Sequence, residues 1–198
     1  MKILAFVDLH GSMGVLKKLA SVAKKEKVEY IVCAGDITIF SENMQQIVSK
    51  LDELGIPVIM THGNHEEEST LRRVCERTKN VKFLHKEVLE TNGYVFMVYG
   101  GGGFSIKDPG FEKWSNQAMK KISEGKKIIL VTHAPPYGTK LDLILDQSAG
   151  SKSIRQFIKL VQPKLVICGH LHENFGIKDR IDKTRIINPG PWGAVLIV

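Results

Sequence analysis

Short apolar runs alternate with amphipathic stretches along most of the chain, and the C-terminal part breaks into closely spaced short runs. Lys2–Val7 has the unbroken apolar character of a strand buried on both faces. Val15, Leu16, Leu19 and Val22 recur at helical spacing and predict a helix over Met13–Lys25. Tyr30–Ala34 reads as the second strand. Ser41 is placed to cap a helix running to about Leu54, with Met44, Ile47, Val48 and Leu51 on one face. Val58–Met60 is a third strand. Val81–Leu84, Lys86–Leu89 and Tyr94–Tyr99 follow as consecutive strands, with Asn92-Gly93 as a hairpin signal between the last two. Phe111–Glu124 predicts a helix, Lys127–Val131 a strand, Ser151–Leu160 a helix and Leu165–Cys168 a strand. Glu173–Lys178, Arg185–Ile187 and Ala194–Val198 have the look of antiparallel strands. Strand–helix alternation followed by strand-rich hairpins predicts a mixed α/β (α+β) protein: two packed sheets with helices outside.

Composition narrows this picture without changing it. At 198 residues, 43% hydrophobic and 25% charged, the chain suits one globular domain over 1–198. No run approaches the roughly 18 apolar residues that span a bilayer. The N-terminal apolar stretch reaches Asp8 too soon for a secretory signal, so a cytoplasmic protein is expected. Cys33, Cys75 and Cys168 are odd in number and form no CxxC pair, so neither a disulfide framework nor a zinc ribbon is indicated. Cys33 and Cys168 read as buried thiols in strands. The net charge of +7 favours anionic partners, phosphate-bearing substrates among them. Pairs such as Lys17-Lys18 and Lys120-Lys121 fall on helices or helix ends and read as solvated faces. Nucleic acid is permitted by this charge but not indicated, because no basic block is interleaved with aromatics.

The informative pattern is where the apolar runs stop. Asp8 and His10 follow the first strand, and Asp36 follows Ile31-Val32-Cys33-Ala34-Gly35. His62, Asn64 and His65 follow Val58–Thr61, His133 follows Ile128–Thr132, and His170 and His172 follow Leu165–Gly169. Five strands thus deliver Asp, Asn and His at their carboxyl ends, the edge where α/β sheets bind ligands. One histidine beside a core strand is ordinarily structural; five such strand ends point to a metal site. Two divalent ions need several imidazoles plus carboxylates, one of them bridging, with positions left for water and substrate. Gly35, Gly63 and Gly169 each precede one of these residues, where a tight turn needs backbone freedom.

Asp8-Leu9-His10, Gly35-Asp36, Gly63-Asn64-His65-Glu66, Thr132-His133 and Gly169-His170-Leu171-His172 resemble, in order and spacing, the five motifs of the calcineurin-like metallophosphoesterase superfamily. Ile187-Asn188-Pro189-Gly190 and the run from Ser151 to His172 are most similar to the compact Icc-related phosphoesterases. The resemblance implies a four-layer double β-sandwich flanked by helices, with a dinuclear metal site at the strand carboxyl ends. It implies that Asp8, His10 and His172 bind one metal, that Asp36 bridges, and that Asn64, His133 and His170 complete the second. His65 is then no ligand but the group that contacts the phosphate and protonates or polarises the leaving oxygen. The implied ions are Mn²⁺ or Fe, with Zn²⁺ or Ni²⁺ as alternatives, and the implied reaction is in-line attack of a metal-bridging hydroxide on a phosphate ester.

One departure bears on the substrate. In protein phosphatases of the superfamily the Gly-Asp motif is followed three residues later by a second Asp and then an Arg. Here Gly35-Asp36 continues Ile37-Thr38-Ile39-Phe40. Without the Asp, His65 needs another partner or acts as a hydrogen-bond donor. Without the Arg, a dianionic monoester loses a bidentate clamp, whereas a diester has one charge fewer. Phosphodiesters are therefore the expected substrates, small molecules or nucleotides. The alternatives are a phosphomonoesterase or protein phosphatase, a nuclease, and a non-enzymatic scaffold of the same fold.

Weaker signals complete the expectations. Tyr137 and Lys140, in the loop after His133, are candidate substrate contacts, with Lys140 able to stand in for the missing Arg. Glu66 is expected to cap the following helix, where a negative charge is favourable. His62 is expected to be structural or solvated, and His85 to lie on the surface or serve structure. Trp114 and Trp192 are expected to pack. Gly100–Gly103 lacks the Gly-Lys-Ser/Thr ending of a phosphate loop and reads as a strand end opening near the pocket.

Overall fold

Residues of the first strand, β1 (Lys2–Phe6), divide by parity between two apolar layers. Leu4 and Phe6 face one way, into a layer built with Leu16 and Leu19 of α1 (Met13–Glu26), Ile47 and Leu51 of α2 (Met44–Asp52), and Leu71 of α3 (Glu68–Cys75). Ile3 and Ala5 face the other way, into a layer shared with a second sheet. Successive side chains of a strand point to opposite faces, so an unbroken apolar strand must be covered on both. The computed structural model describes residues 1–91 and 93–198.

Beside β1 lie β2 (Tyr30–Cys33), β3 (Val58–Met60) and β4 (Val81–Phe83), all parallel. The second sheet holds β5 (Glu87–Thr91), β6 (Tyr94–Tyr99), β7 (Lys127–Thr132), β10 (Leu165–Ile167), β11 (Lys178–Ile181) and β12 (Thr184–Ile187). Its order is β11-β12-β10-β7-β6-β5, parallel at the centre and antiparallel at both edges. The last strand, β13 (Ala194–Ile197), returns to the first sheet and pairs antiparallel with β1. A two-stranded ribbon of β8 (Leu143–Ile144) and β9 (Gln147–Ser148) stands apart.

Three apolar layers result. The middle one packs Val32 and Ile59 of the first sheet against Phe96, Val98, Ile129, Val131 and Ile167 of the second. The outer layer of the second sheet packs Met97, Leu130 and Val166 against Phe111 and Trp114 of α4 (Pro109–Met119) and Phe157 of α5 (Lys152–Val161). Burying each such side chain contributes roughly 1.5–3 kcal/mol. The expected double sandwich of two mixed sheets between helices is the observed architecture. Among the described residues no helix is long and apolar enough to cross a membrane.

Most elements fall where the pattern places them, and the differences have local causes. Ser41 does not cap α2; the chain turns through left-handed Phe40, Ser41 and Asn43, and Asn43 occupies the cap position. Glu173–Lys178 is not a strand. His172–Asn174 forms a 3₁₀ turn, held by Asn174 Nδ2 donating to the Leu141 and Leu143 carbonyls, and β11 begins only at Lys178. α4 starts two residues earlier than expected, where Asp108 accepts the Phe111 N–H, and it ends at Met119. The hairpin between β5 and β6 is present, with Thr91 opposite Tyr94; Asn92 of the predicted turn lies outside the described residues. Cys33, Cys75 and Cys168 are free and buried.

Candidate metal centre

The carboxyl ends of β1, β2, β3, β7 and β10 open on one edge shared by the two sheets, and hydrogen bonds cross between them there. His170 N–H donates to Asp8 Oδ2 at 3.0 Å, and His133 Nδ1 lies 2.9 Å from the Ala34 carbonyl. The second contact makes Nδ1 the protonated nitrogen and turns Nε2 inward, the device by which a second partner orients a ligating histidine.

Inward, the donor atoms form two connected groups. Asp8 Oδ1 lies 3.9 Å from both His10 Nε2 and His172 Nε2, which are 3.0 Å from each other. Asn64 Oδ1 lies 3.0 Å from His133 Nε2 and 2.9 Å from His170 Nδ1. Asp36 stands between the groups: Oδ2 is 3.3 Å from His133 Nε2, and its carboxylate clusters with Asp8 on one side and with His10 and His65 on the other. Donor atoms about 3–4 Å apart are the edges expected around an ion bound at about 2.0–2.2 Å. Asp8 Oδ1 is buried without a partner among the described residues, a cost that an ion would remove.

Asp8, His10, Asp36 and His170 all have left-handed backbone, with φ of 55, 45, 51 and 72°. Non-glycine residues adopt this conformation at a cost of order 1–3 kcal/mol each, and such strain gathers at functional sites. Gly63 is required for room instead: a Cβ there would overlap Asp36 Oδ1 and His133 Cε1.

The electrostatics follow from burial and from these contacts. Burial raises the Asp8 carboxyl to about 7, helped by the charges of Asp36 and Glu66. Burial pushes Asp36 the same way, but the hydrogen bond and charge of His133, with His65 behind it, outweigh it and hold Asp36 at about 2. His133 is raised in return: burial works against its charge, and Asp36 prevails. His170 is lowered to about 4 by burial and by His133, and His10 is lowered by burial, so both are neutral donors at neutral pH.

The family model for calcineurin-like phosphoesterases matches residues 1–174. The chain belongs to that family. An uncharacterized protein of Methanocaldococcus jannaschii is 31% identical over 207 aligned residues, covering 96% of this chain and 88% of that protein. A solved structure from Thermus thermophilus matches with a TM-score of 0.78 at 17% identity, over 96% of this chain and 88% of its own. An archaeal phosphodiesterase matches with a TM-score of 0.56 at 19% identity, over 96% and 84%. These last two likenesses concern the fold.

In this phosphoesterase His65 has no hydrogen-bond partner for its Nδ1, carboxylate or other, among the described residues. Its N–H donates to Asp36 Oδ1 at 2.9 Å, and its ring packs between His10 and Phe40, at centroid distances of 4.9 and 5.0 Å. Phe40 therefore stands against His65 where the phosphatase pattern carries Arg. Phe104 packs on His170 at 4.8 Å, so the Gly100–Gly103 stretch does open beside the cluster. Phe175 stacks on His172, and Trp192 meets Phe175 edge-on while remaining 65% exposed. Trp192 is thus not the packed residue expected, whereas Trp114 is buried.

Tyr137 and Lys140 make contacts of their own. The Tyr137 ring is 4.7 Å from Lys152 Nζ, and the Lys140 N–H donates to Asp179 of β11. Neither hydrogen-bonds or ion-pairs with the cluster among the described residues. His85 is buried and accepts the Gly100 N–H on Nδ1. Its neutral ring then carries the proton on Nε2, the atom facing Glu68 Oε2 at 3.7 Å. That nitrogen has no lone pair for an ion, so the grouping of His62, Glu68 and His85 is structural. A depression of about 580 Å³ between α2 and α3 is lined by Ser, Thr, Asn, Gln, Met and Val and offers no titratable group.

Glu66 has a different role from the helix cap expected of it. It does not cap α3, whose cap position is Glu67. Its buried carboxylate accepts the N–H groups of Asp36, Thr38 and Gly63 at 2.9–3.1 Å and the Thr38 hydroxyl at 2.8 Å. It thereby ties the loop after β2 to the loop after β3. Glu66→Ala leaves these donors unpaired in the interior. We expect it to cost the metal-free protein about 3 kcal/mol, read from urea unfolding; a loss under about 1 kcal/mol would show the loops holding without it.

Proposed function

We propose that this phosphoesterase is a two-metal hydrolase acting on phosphodiesters. The convergence of Asp8, His10, Asp36, Asn64, His133, His170 and His172 on one sheet edge carries the reading. Asp8, His10 and His172 would hold one ion, Asn64, His133 and His170 the other, and Asp36 both. Carboxylate, carboxamide and imidazole together suit Mn²⁺ or Fe and accept Zn²⁺ or Ni²⁺. When bound, two such ions supply an activated water and neutralise charge on the transferring phosphoryl group. The chain's own part is orientation and proton supply. Ala34 fixes the His133 tautomer, the His170 N–H fixes Asp8, and His65 protonates the leaving oxygen.

Diesters are favoured because the groups beside His65 and His170 are Phe40 and Phe104, not cations. The test is hydrolysis of bis(p-nitrophenyl) phosphate and p-nitrophenyl phosphate with Mn²⁺ present. We expect kcat/KM for the diester to exceed that for the monoester by at least ~10-fold, about 1.4 kcal/mol. A reversed ratio would keep the site and replace the substrate class.

Metal uptake should also depend on pH in a definite direction. The folded Asp8 carboxyl, at about 7, lies above its ordinary 3.8, so the metal-free native state holds a proton that the unfolded chain releases. Its contribution to stability therefore falls as pH rises from about 4 to 7. An ion held at Asp8 would displace that proton. The gain in Tm on adding Mn²⁺ is expected to be larger at pH 8 than at pH 6; an equal gain would mean that no proton leaves.

A further inference from the structure

Phe40 and Phe104 are 77% and 63% exposed, and each lays its ring against a histidine of the metal cluster. Exposed apolar side chains scattered singly are ordinary; what sets these two apart is that both lie against histidines of one cluster. Phe40 is presented by strained backbone: Phe40, Ser41 and Asn43 have φ of 46, 68 and 57°. The chain bears that strain while holding a phenyl ring out toward solvent beside His65. Phe104 follows the glycine run after β6 and faces the cleft from the His170 side. Neither ring is covered by a neighbouring element that would account for it as core.

We propose that Phe40 and Phe104 are specificity residues that stack a planar aromatic ester group, of the nucleobase class, on the phosphodiester substrate. The inference rests on the phosphodiesterase reading and sharpens it. A metal cluster supplies attraction for phosphate of any kind, so it cannot discriminate among ester groups. Phenyl faces at the rim supply that discrimination, because stacking rewards a flat ring and gives a methyl or ethyl ester little. The positive charge of the whole chain, +7, draws in the phosphate without selecting the ester.

The test compares two diesters that share a leaving group and differ in the retained ester: thymidine 5′-p-nitrophenyl phosphate and methyl p-nitrophenyl phosphate. Both are assayed with the Mn²⁺-loaded wild type, Phe40→Ala, Phe104→Ala, the double variant and Phe104→Tyr. We expect the wild type to favour the thymidine ester by about tenfold in kcat/KM, the scale of one stacked base. The double alanine variant should bring the two esters to near equality, and Phe104→Tyr should keep the preference. Calorimetric binding of thymidine 5′-phosphate against methyl phosphate reads the same preference without turnover. Equal rates on both esters by the wild type, or a preference that survives the double alanine variant, would overturn the clamp alone. No turnover of either ester would remove the phosphodiesterase reading, and the binding preference would still decide the clamp.

Discussion

Asp36→Asn is expected to strip the protein of at least one of the two proposed metal ions and to lower turnover by ~10³-fold, the scale of deleting a preorganised group that stabilises charge. Asp36 is the carboxylate between the two groups of donors. Its Oδ2 faces His133 and its Oδ1 accepts the His65 N–H. A carboxamide keeps the shape and loses the charge, so it retains the second contact and cannot serve two cations. The same change should weaken the metal-free fold. Asp36 is depressed from 3.8 to about 2 in the native state, so its stabilising contribution is present above its unfolded pKa and disappears as pH falls through that range. That contribution is about 2 kcal/mol at neutral pH. Metal content by elemental analysis, with urea unfolding beside it, checks both. Two ions still bound per chain would undo the bridging assignment.

The metal cluster was legible because its determinants are local in sequence. Each apolar run that must be buried on both faces stops at a residue that cannot be buried without a partner, and parallel strands bring such stops to one edge. The three apolar layers were legible for the same reason. What escaped depends on tertiary contacts. Glu66 precedes a helix, so local chemistry made it a cap, whereas its carboxylate reaches the loop after β2 thirty residues back. Glu173–Lys178 resembles a strand until Asn174 is seen to hold the Leu141 and Leu143 carbonyls. The left-handed backbone of His10 and His170 escaped too: histidine is enriched in that region, but the residue type alone does not say which histidines adopt it. Phe40 and Phe104 have no periodicity, and only the fold sets them beside the histidines.

These contacts change the meaning of the sequence departure at Ile39-Phe40. Losing the carboxylate and the guanidinium does not leave His65 loose. The ring is held by its own backbone, through Asp36, and by flanking rings, and Phe40 replaces a charged wall with an apolar one.

His65→Ala should therefore leave two ions bound and lower kcat by ~10²–10⁴-fold for a diester with an alkyl leaving group, the range of general acid catalysis. The loss should shrink to about tenfold or less for a p-nitrophenyl ester, whose leaving group departs as a stable anion and gains little from a proton. This dependence on leaving group separates proton donation from a structural role, which would slow both esters alike. The His65 Nδ1 is buried without a partner among the described residues, and its Nε2 lies 4.0 Å from Asp36 Oδ2. The ring thus groups with His10 and Asp36, apart from the donors that Asn64, His133 and His170 share. If His65→Ala lost an ion instead, the residue would be a ligand, and the proton for the leaving oxygen would have to come from another group in the cleft.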